Sequence, residues 1–162
     1  MLVKTKHFGE VDLDESKIIH FPEGILGFEN LKDYTLLYDN EDGDAPFITW
    51  LQSVDEGGFA IPVLSPFLVK EGYNPEIEDE LLKEIGTLTE ENIVVLVSLT
   101  VPEDVKEMSV NLKAPFIINA DTKKAVQVIV EGDDFDIRYP IYEILKEAKK
   151  KEEEAKAKKG DK

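Results

Sequence analysis

Ser109-Val110-Asn111-Leu112-Lys113-Ala114-Pro115-Phe116-Ile117-Ile118-Asn119 is the stretch on which the reading of this chain turns. Polar Ser109 and Asn111 lead into a proline, and a short apolar run closed by a second Asn follows. The residue before a proline is pushed out of the helical region, and proline has no N–H for a sheet ladder. The stretch therefore reads as an extended segment, broken at Ala114-Pro115 and resumed as a strand. The amides of Asn111 and Asn119 are placed to satisfy backbone groups around that break, which is a structural role.

Outward from this segment, short β-type runs dominate. Leu2 to His7 and Glu10 to Leu13 flank a bend at Phe8-Gly9, and Ile18 to Phe21 runs into a Pro22-Glu23-Gly24 turn. Tyr34 to Asp39 and Phe47 to Ser53 flank an acidic turn with Asp42-Gly43 at its tip, and Asp55 to Gly58 turns the chain into Phe59 to Leu64. Ile93 to Val101 is a nearly continuous apolar run, as in a strand covered on both faces. Val126, Val128 and Val130 alternate with Gln127 and Ile129 in a last strand. The expected fold class is mainly β: a small antiparallel β-barrel-like single domain with one or two short helices and a charged C-terminal helical tail.

Asn74-Pro75 reads as the start of a helix, with Ile77, Leu81, Leu82 and Ile85 on one face and Gly86 as its stop. A second helix is expected from near Pro140, with an apolar stripe of Ile141, Ile144, Leu145 and Ala148. The stripe ends there. Glu147/Lys151, Glu152/Lys156 and Glu154/Lys158 continue as ion pairs at helical spacing. The expected division is a domain over 1–148 and a solvated tail, helical or disordered, over 149–162.

The chain has 162 residues, no Cys and a net charge of −16. At this length a core forms without disulfide or metal. The N-terminus has no apolar signal-like stretch, and no run is long enough to span a membrane, so a cytoplasmic protein is expected. The last twenty residues hold eight Lys against six acids, leaving eleven bases against twenty-nine acids, a net −18, on residues 1–142. Such a body repels phosphate backbones, and Arg138 is the only Arg, so no direct nucleic-acid binding is expected. A basic protein partner suits the charge, as does a merely solubilising surface.

No constellation points to catalysis or to a metal. The acidic turn Asp39 to Asp44 fails as a calcium loop: with Gly43 sixth, Tyr38 and Thr49 fall where carboxylates are needed. His7 and His20 lack the company of a zinc site. Nucleophile-elbow, dinucleotide and P-loop motifs are absent from the sequence. No enzyme, no cofactor and no metal are expected. Trp50 reads first as a core residue and alternatively as an interface anchor. Phe28-Glu29, on a glycine-rich turn, reads equally as a docking knob or a lid over a barrel end.

Phe21-Pro22-Glu23-Gly24-Ile25-Leu26-Gly27-Phe28-Glu29, Pro46 to Ser53, Ser109 to Asn119 and Ala125-Val126-Gln127, in this order and spacing, resemble the flagellar assembly factor FliW family over about Glu10 to Arg138. Ser65 before Pro66, where an acid is expected, and Ala125, where Gly is common, depart from the pattern. The resemblance implies a β-barrel-like, non-enzymatic cytoplasmic module. Such a module binds flagellin and, when free of it, binds and antagonises the CsrA-type RNA-binding translational regulator, relieving repression of flagellin translation. Rival expectations are a flagellin-holding export chaperone without a regulatory role, and a small-ligand-binding barrel. The partner-binding positions it suggests are motif positions: Phe28, Glu29, Phe47, Trp50, Gln52, Ser53, Asn111, Leu112, Pro115 and Asn119.

Overall fold

The structure is a computed structural model that describes residues 2–6, 8–38, 48–132 and 134–160. The acidic turn at Asp39 to Asp44, His7 and Phe47 lie outside the described residues. Strands β1 (Leu2–Thr5) and β2 (Gly9–Asp12) form a separate antiparallel hairpin. The others are β3 (Ile19–His20), β4 (Asp33–Tyr38), β5 (Thr49–Ser53), β6 (Ala60–Leu64), β7 (Ile93–Thr100), β8 (Ser109–Val110), β9 (Phe116–Asn119), β10 (Lys124–Gln127) and β11 (Tyr139–Pro140).

Seven of these strands close a barrel, in the order β3-β4-β5-β6-β7-β9-β10 and back to β3. The closing seam is parallel and short. It pairs Lys124 with His20, and the His20 N–H donates to the Lys123 carbonyl at 2.8 Å. Closure leaves the barrel without open sheet edges. The interior holds Phe21, Tyr34, Leu51, Val63, Phe116, Ile118 and Ala125. Phe21 meets Tyr34 and Phe116 edge to face, at 5.3 and 6.0 Å between ring centroids.

The stretch 109–119 behaves as one broken partner of β7. β9 pairs the first half of β7, Ile93↔Asn119 to Leu96↔Phe116, and β8 pairs its end, Leu99↔Val110 and Thr100↔Ser109. The break between them is fully bonded. Asn111 Oδ1 accepts from the Lys113 and Ala114 N–H groups at 3.0 and 3.1 Å. The Leu112 carbonyl accepts the Tyr73 hydroxyl at 2.6 Å, and the Leu112 N–H donates to the Asp136 carbonyl. A second core beside the barrel gathers Leu64, Val97, Leu99, Val110, Leu112 and Ile141. The short helix α1 (Pro66–Val69), which the sequence did not suggest, adds Val69 to it.

Two expectations are corrected. The helix expected from Asn74-Pro75 is a 3₁₀ turn over Asp79–Ile85, with Glu78 as its N-cap. At three residues per turn Leu82 and Ile85 fall on one side, where they pack in a third small core with Ile117 and Val128, while Leu81 is 45% exposed. The last strand stops at Gln127 by its ladder, although the Val128 and Val130 N–H groups still donate to the Pro115 and Lys113 carbonyls. Helix α2 (Tyr142–Gly160) runs unbroken across the 148/149 boundary.

Candidate functional site at one barrel end

One end of the barrel is built from three of the motif segments. β3 leaves it into the loop 21–32, β5 and β6 meet there in a hairpin, and β10 arrives there at Gln127. The loop 21–32 is tightly braced. The Gly24 N–H donates to the Phe21 carbonyl, and the Phe28 N–H to the Ile25 carbonyl at 2.7 Å. Gln127 Oε1 accepts the Leu26 N–H at 2.9 Å from a hundred residues away in sequence. Gly24 has a φ of +69°, and a Cβ there would lie 2.6 Å from the Glu29 backbone, so only glycine lets the loop fold back on itself.

This bracing fixes two apolar side chains in solvent. Leu26 is 52% exposed and Phe28 46%. The Phe28 ring lies on Phe59 at 4.2 Å between centroids, and Phe59 in turn meets the core ring of Tyr34 at 6.2 Å. Phe28 thus covers the barrel end with one face and presents the rest to solvent. Glu29 is exposed, with Oε1 accepting the Gly27 N–H, and Glu23 is exposed beside it in the loop. An apolar pair on a hydrogen-bonded loop, flanked by carboxylates, has the make-up of a surface that can contact a protein.

Gln52 has a different place from the one its motif suggested. It is fully buried, and its Nε2 donates to the carbonyls of Ser53, Gly57 and Phe59 at 3.0 to 3.1 Å, pinning the β5–β6 hairpin under Phe28. Ser53, also buried, accepts the Glu56 N–H on its Oγ. The hairpin tip carries the β1–β2 unit: the Lys6 N–H donates to the Gly57 carbonyl at 3.0 Å.

Trp50 is not a core residue. It is half-buried on the outer barrel face it shares with Gln52, opposite Leu37 and Pro62, with the Phe8 ring 6.4 Å away at its edge. Asn111, half-buried, caps the chain break, and Leu112 and Pro115 are buried in it. Asn119 is fully buried with all its polar capacity used. Its Nδ2 donates to the Ile85 and Thr87 carbonyls, and its Oδ1 accepts from the Asp121 and Thr122 N–H groups. Of the described motif positions, Phe28 and Glu29 are therefore exposed, Trp50 and Asn111 are half-buried, and the others shape the fold from inside. Leu26, Phe59 and Gln127 complete the site. Their sequence signal was the pair Gly24 and Gly27 and the Ala125-Val126-Gln127 motif, but only folding brings them together.

His20 Nδ1 lies 2.7 Å from Asp33 Oδ1 across the β3–β4 pair, both half in solvent. Burial pushes the hydroxyls of Tyr34 and Tyr73 up to about 12, with the Asp55 charge adding to the effect on Tyr34. The hydroxyl of Ser16 and its N–H, both bonded to Asp14, hold that carboxyl below its usual range. Among the described residues no group of three His, Cys, Asp or Glu could hold a metal ion, and no helix is long and apolar enough to cross a membrane. At the opposite barrel mouth a cavity of about 280 Å³ is lined by Ile19, Leu36, Val94, Ile118 and Ala120 with Lys17 and Lys123, and by one buried polar residue, Thr35. It lacks the convergent buried polar groups that fix a small ligand.

The profile of the FliW protein family matches residues 2–141. The flagellar assembly factor FliW of Lachnoclostridium phytofermentans is 53% identical over 153 residues, covering 94% of this chain and 98% of the relative. That of Lachnospira eligens is 50% identical over 147 residues, covering 90% and 97%. A crystal structure of the flagellar assembly factor FliW superposes with a TM-score of 0.79 at 26% identity, covering 88% of this chain and 97% of that one. A closed barrel with this topology, matched by both sequence and structure along almost its whole length, places the chain in the FliW family of flagellar assembly factors.

Proposed function

We propose that this flagellar assembly factor works as a cytoplasmic switch between two proteins. It binds flagellin, and when flagellin is exported it binds and antagonises a CsrA-type RNA-binding translational regulator, relieving repression of flagellin translation. Family membership across residues 2–141 carries this reading. The braced loop end with Leu26 and Phe28 in solvent supports a contact surface for a protein. The −18 charge of residues 1–142 supports capture of a partner whose RNA-binding surface is basic. Once bound, the same charge repels RNA phosphates within about a Debye length, roughly 8 Å.

The test is co-purification with flagellin, with the regulator, and with both at saturation. Each pair should form, flagellin should displace the regulator, and addition of the free factor should release RNA held by the regulator. A stable complex of all three sinks the switch. Flagellin binding without any regulator binding reduces the chain to a holding chaperone.

A further inference from the structure

Two residues beyond Gln127 the chain forms a wall of a second surface feature. A groove of about 430 Å³ is lined by Glu76, Ile77, Glu78, Leu81, Ile129 and Glu131. Its floor is apolar and open: Leu81 is 45% exposed and Ile129 55%. Its rim is made of carboxylates, with no base in the lining. The charge around it is concentrated. Of the two segments that line it, residues 76–81 hold Glu76, Glu78, Asp79 and Glu80 and no base, and residues 129–132 hold Glu131 and no base.

The backbone on the Ile129 side is also available. The Val128 and Val130 N–H groups point inward, to the Pro115 and Lys113 carbonyls. In an extended chain the amides between them face the other way. The Ile129 N–H therefore points outward, and it has no partner among the described residues. An outward amide on an extended segment is what an incoming strand pairs with.

We infer that this groove takes an extended basic segment of a protein partner, added as a strand along residues 128–130. One apolar side chain of that segment sits on Ile77, Leu81 and Ile129. The Lys or Arg side chains two positions to either side share its face and meet Glu76, Glu78 and Glu131, and a backbone carbonyl of the segment pairs with the Ile129 N–H. Apolar and basic residues alternating at every second position fit, because side chains of a strand point to opposite faces in turn and residues two apart share one. The surface goes beyond the switch proposed above, and its test needs neither flagellin nor the regulator.

The probe is a synthetic peptide in which Lys and Val alternate at every second residue with Ser between them, titrated into the full chain while amide and methyl resonances are followed. Its controls are a Glu/Val peptide, a peptide of the same composition with the Lys and Val blocked apart, and a Lys/Val peptide N-methylated at alternate amides. The Lys/Val peptide should shift the Ile77, Leu81 and Ile129 methyls and protect the Ile129 amide from exchange. N-methylation on the pairing edge, or Glu78→Lys with Glu131→Lys, should weaken binding at least about tenfold. These glutamates are exposed, so melting should not move. If blocked and N-methylated peptides bind as well as the alternating one, or the shifts spread evenly over all acidic surfaces, attraction is unspecific and the proposal is wrong. Absence of any binding at low salt also overturns it.

Discussion

A β-carbon on Gly57 would fall 1.7 Å from the Lys4 carbonyl oxygen. The two backbones touch because Gly57 has no side chain, and the Lys6 N–H then reaches the Gly57 carbonyl. This contact seats the β1–β2 hairpin on the barrel, where Val3 and Thr5 become buried.

Gly57→Ala should therefore lift the hairpin rather than unfold the barrel. Forcing a methyl into a close contact costs about 1–3 kcal/mol. The free energy of unfolding should fall by that amount, and hydrogen exchange should show the Lys6 amide unprotected while the amides of β7 and β9 stay slow. Unchanged protection at Lys6 would mean that the contact relaxes at no cost.

Asn119 holds together three segments: the end of the 3₁₀ turn through Ile85, Thr87, and the β9–β10 turn through Asp121 and Thr122. Asn119→Ala leaves buried carbonyls and amides unpaired, which should cost about 2–4 kcal/mol in urea unfolding. Asn119→Asp keeps the acceptor, loses the donor and buries a charge, so it should be at least as damaging. A milder effect from Asp than from Ala would show that the donor bonds carry little.

Tyr34 and Tyr73 make stability depend on alkaline pH. Their folded-state values lie near 12, above the ordinary 10. The neutral form is the one the fold favours, so this stability is complete below about pH 10 and is lost as pH rises from about 10 to about 12. Melting temperature should drop across that window, and tyrosinate absorbance should develop late for two of the rings. Tyr34 Oη is buried without a partner among the described residues. Tyr34→Phe should therefore be neutral or slightly stabilising near neutral pH and should shrink the alkaline loss. A clear destabilisation by Tyr34→Phe at pH 7 would show that its hydroxyl is bonded after all.

Trp50→Ala should cost less than a core tryptophan. It is only partly buried, against Phe8, so about 1–2 kcal/mol is expected, below the roughly 3–5 kcal/mol of a core site. The loss should appear mainly as loosening of the N-terminal hairpin. Full unfolding at room temperature would place Trp50 in the core. Unchanged melting with lost flagellin or regulator binding would make it a contact residue.

Truncation after Lys150 should spare the fold. Helix α2 is anchored through Ile144 and Leu145, next to Ile141 in the second core, and the residues after Ala148 bring no apolar stripe. Stability should stay within roughly 0.5 kcal/mol, and regulator capture within a few-fold. Added salt should slow that capture, because steering between opposite charges is screened. Loss of regulator binding on truncation, or an on-rate indifferent to salt, would move recognition to the tail or to an apolar patch.

The β class, the strand break at Ala114-Pro115, the turns at Pro22 and Gly57, and the acid excess were all legible in the chain, because each rests on local chemistry: proline geometry, glycine tolerance, alternation and charge. The 3₁₀ form of Asp79–Ile85 was not. Both helix types share the same apolar residues, and packing of Leu82 and Ile85 on Ile117 and Val128 chose between them. The roles of the motif residues were not legible either. Gln52 and Trp50 share one strand face, yet Gln52 is fully buried, pinning the β5–β6 hairpin through three carbonyls, and Trp50 is only partly buried, against Phe8. That difference depends on where neighbouring segments cross the face. Exposure of Leu26 and Phe28 likewise depends on Gln127, brought in by barrel closure from across the chain. Burial is a property of surfaces meeting, and residues far apart in sequence supply those surfaces only once the barrel has closed.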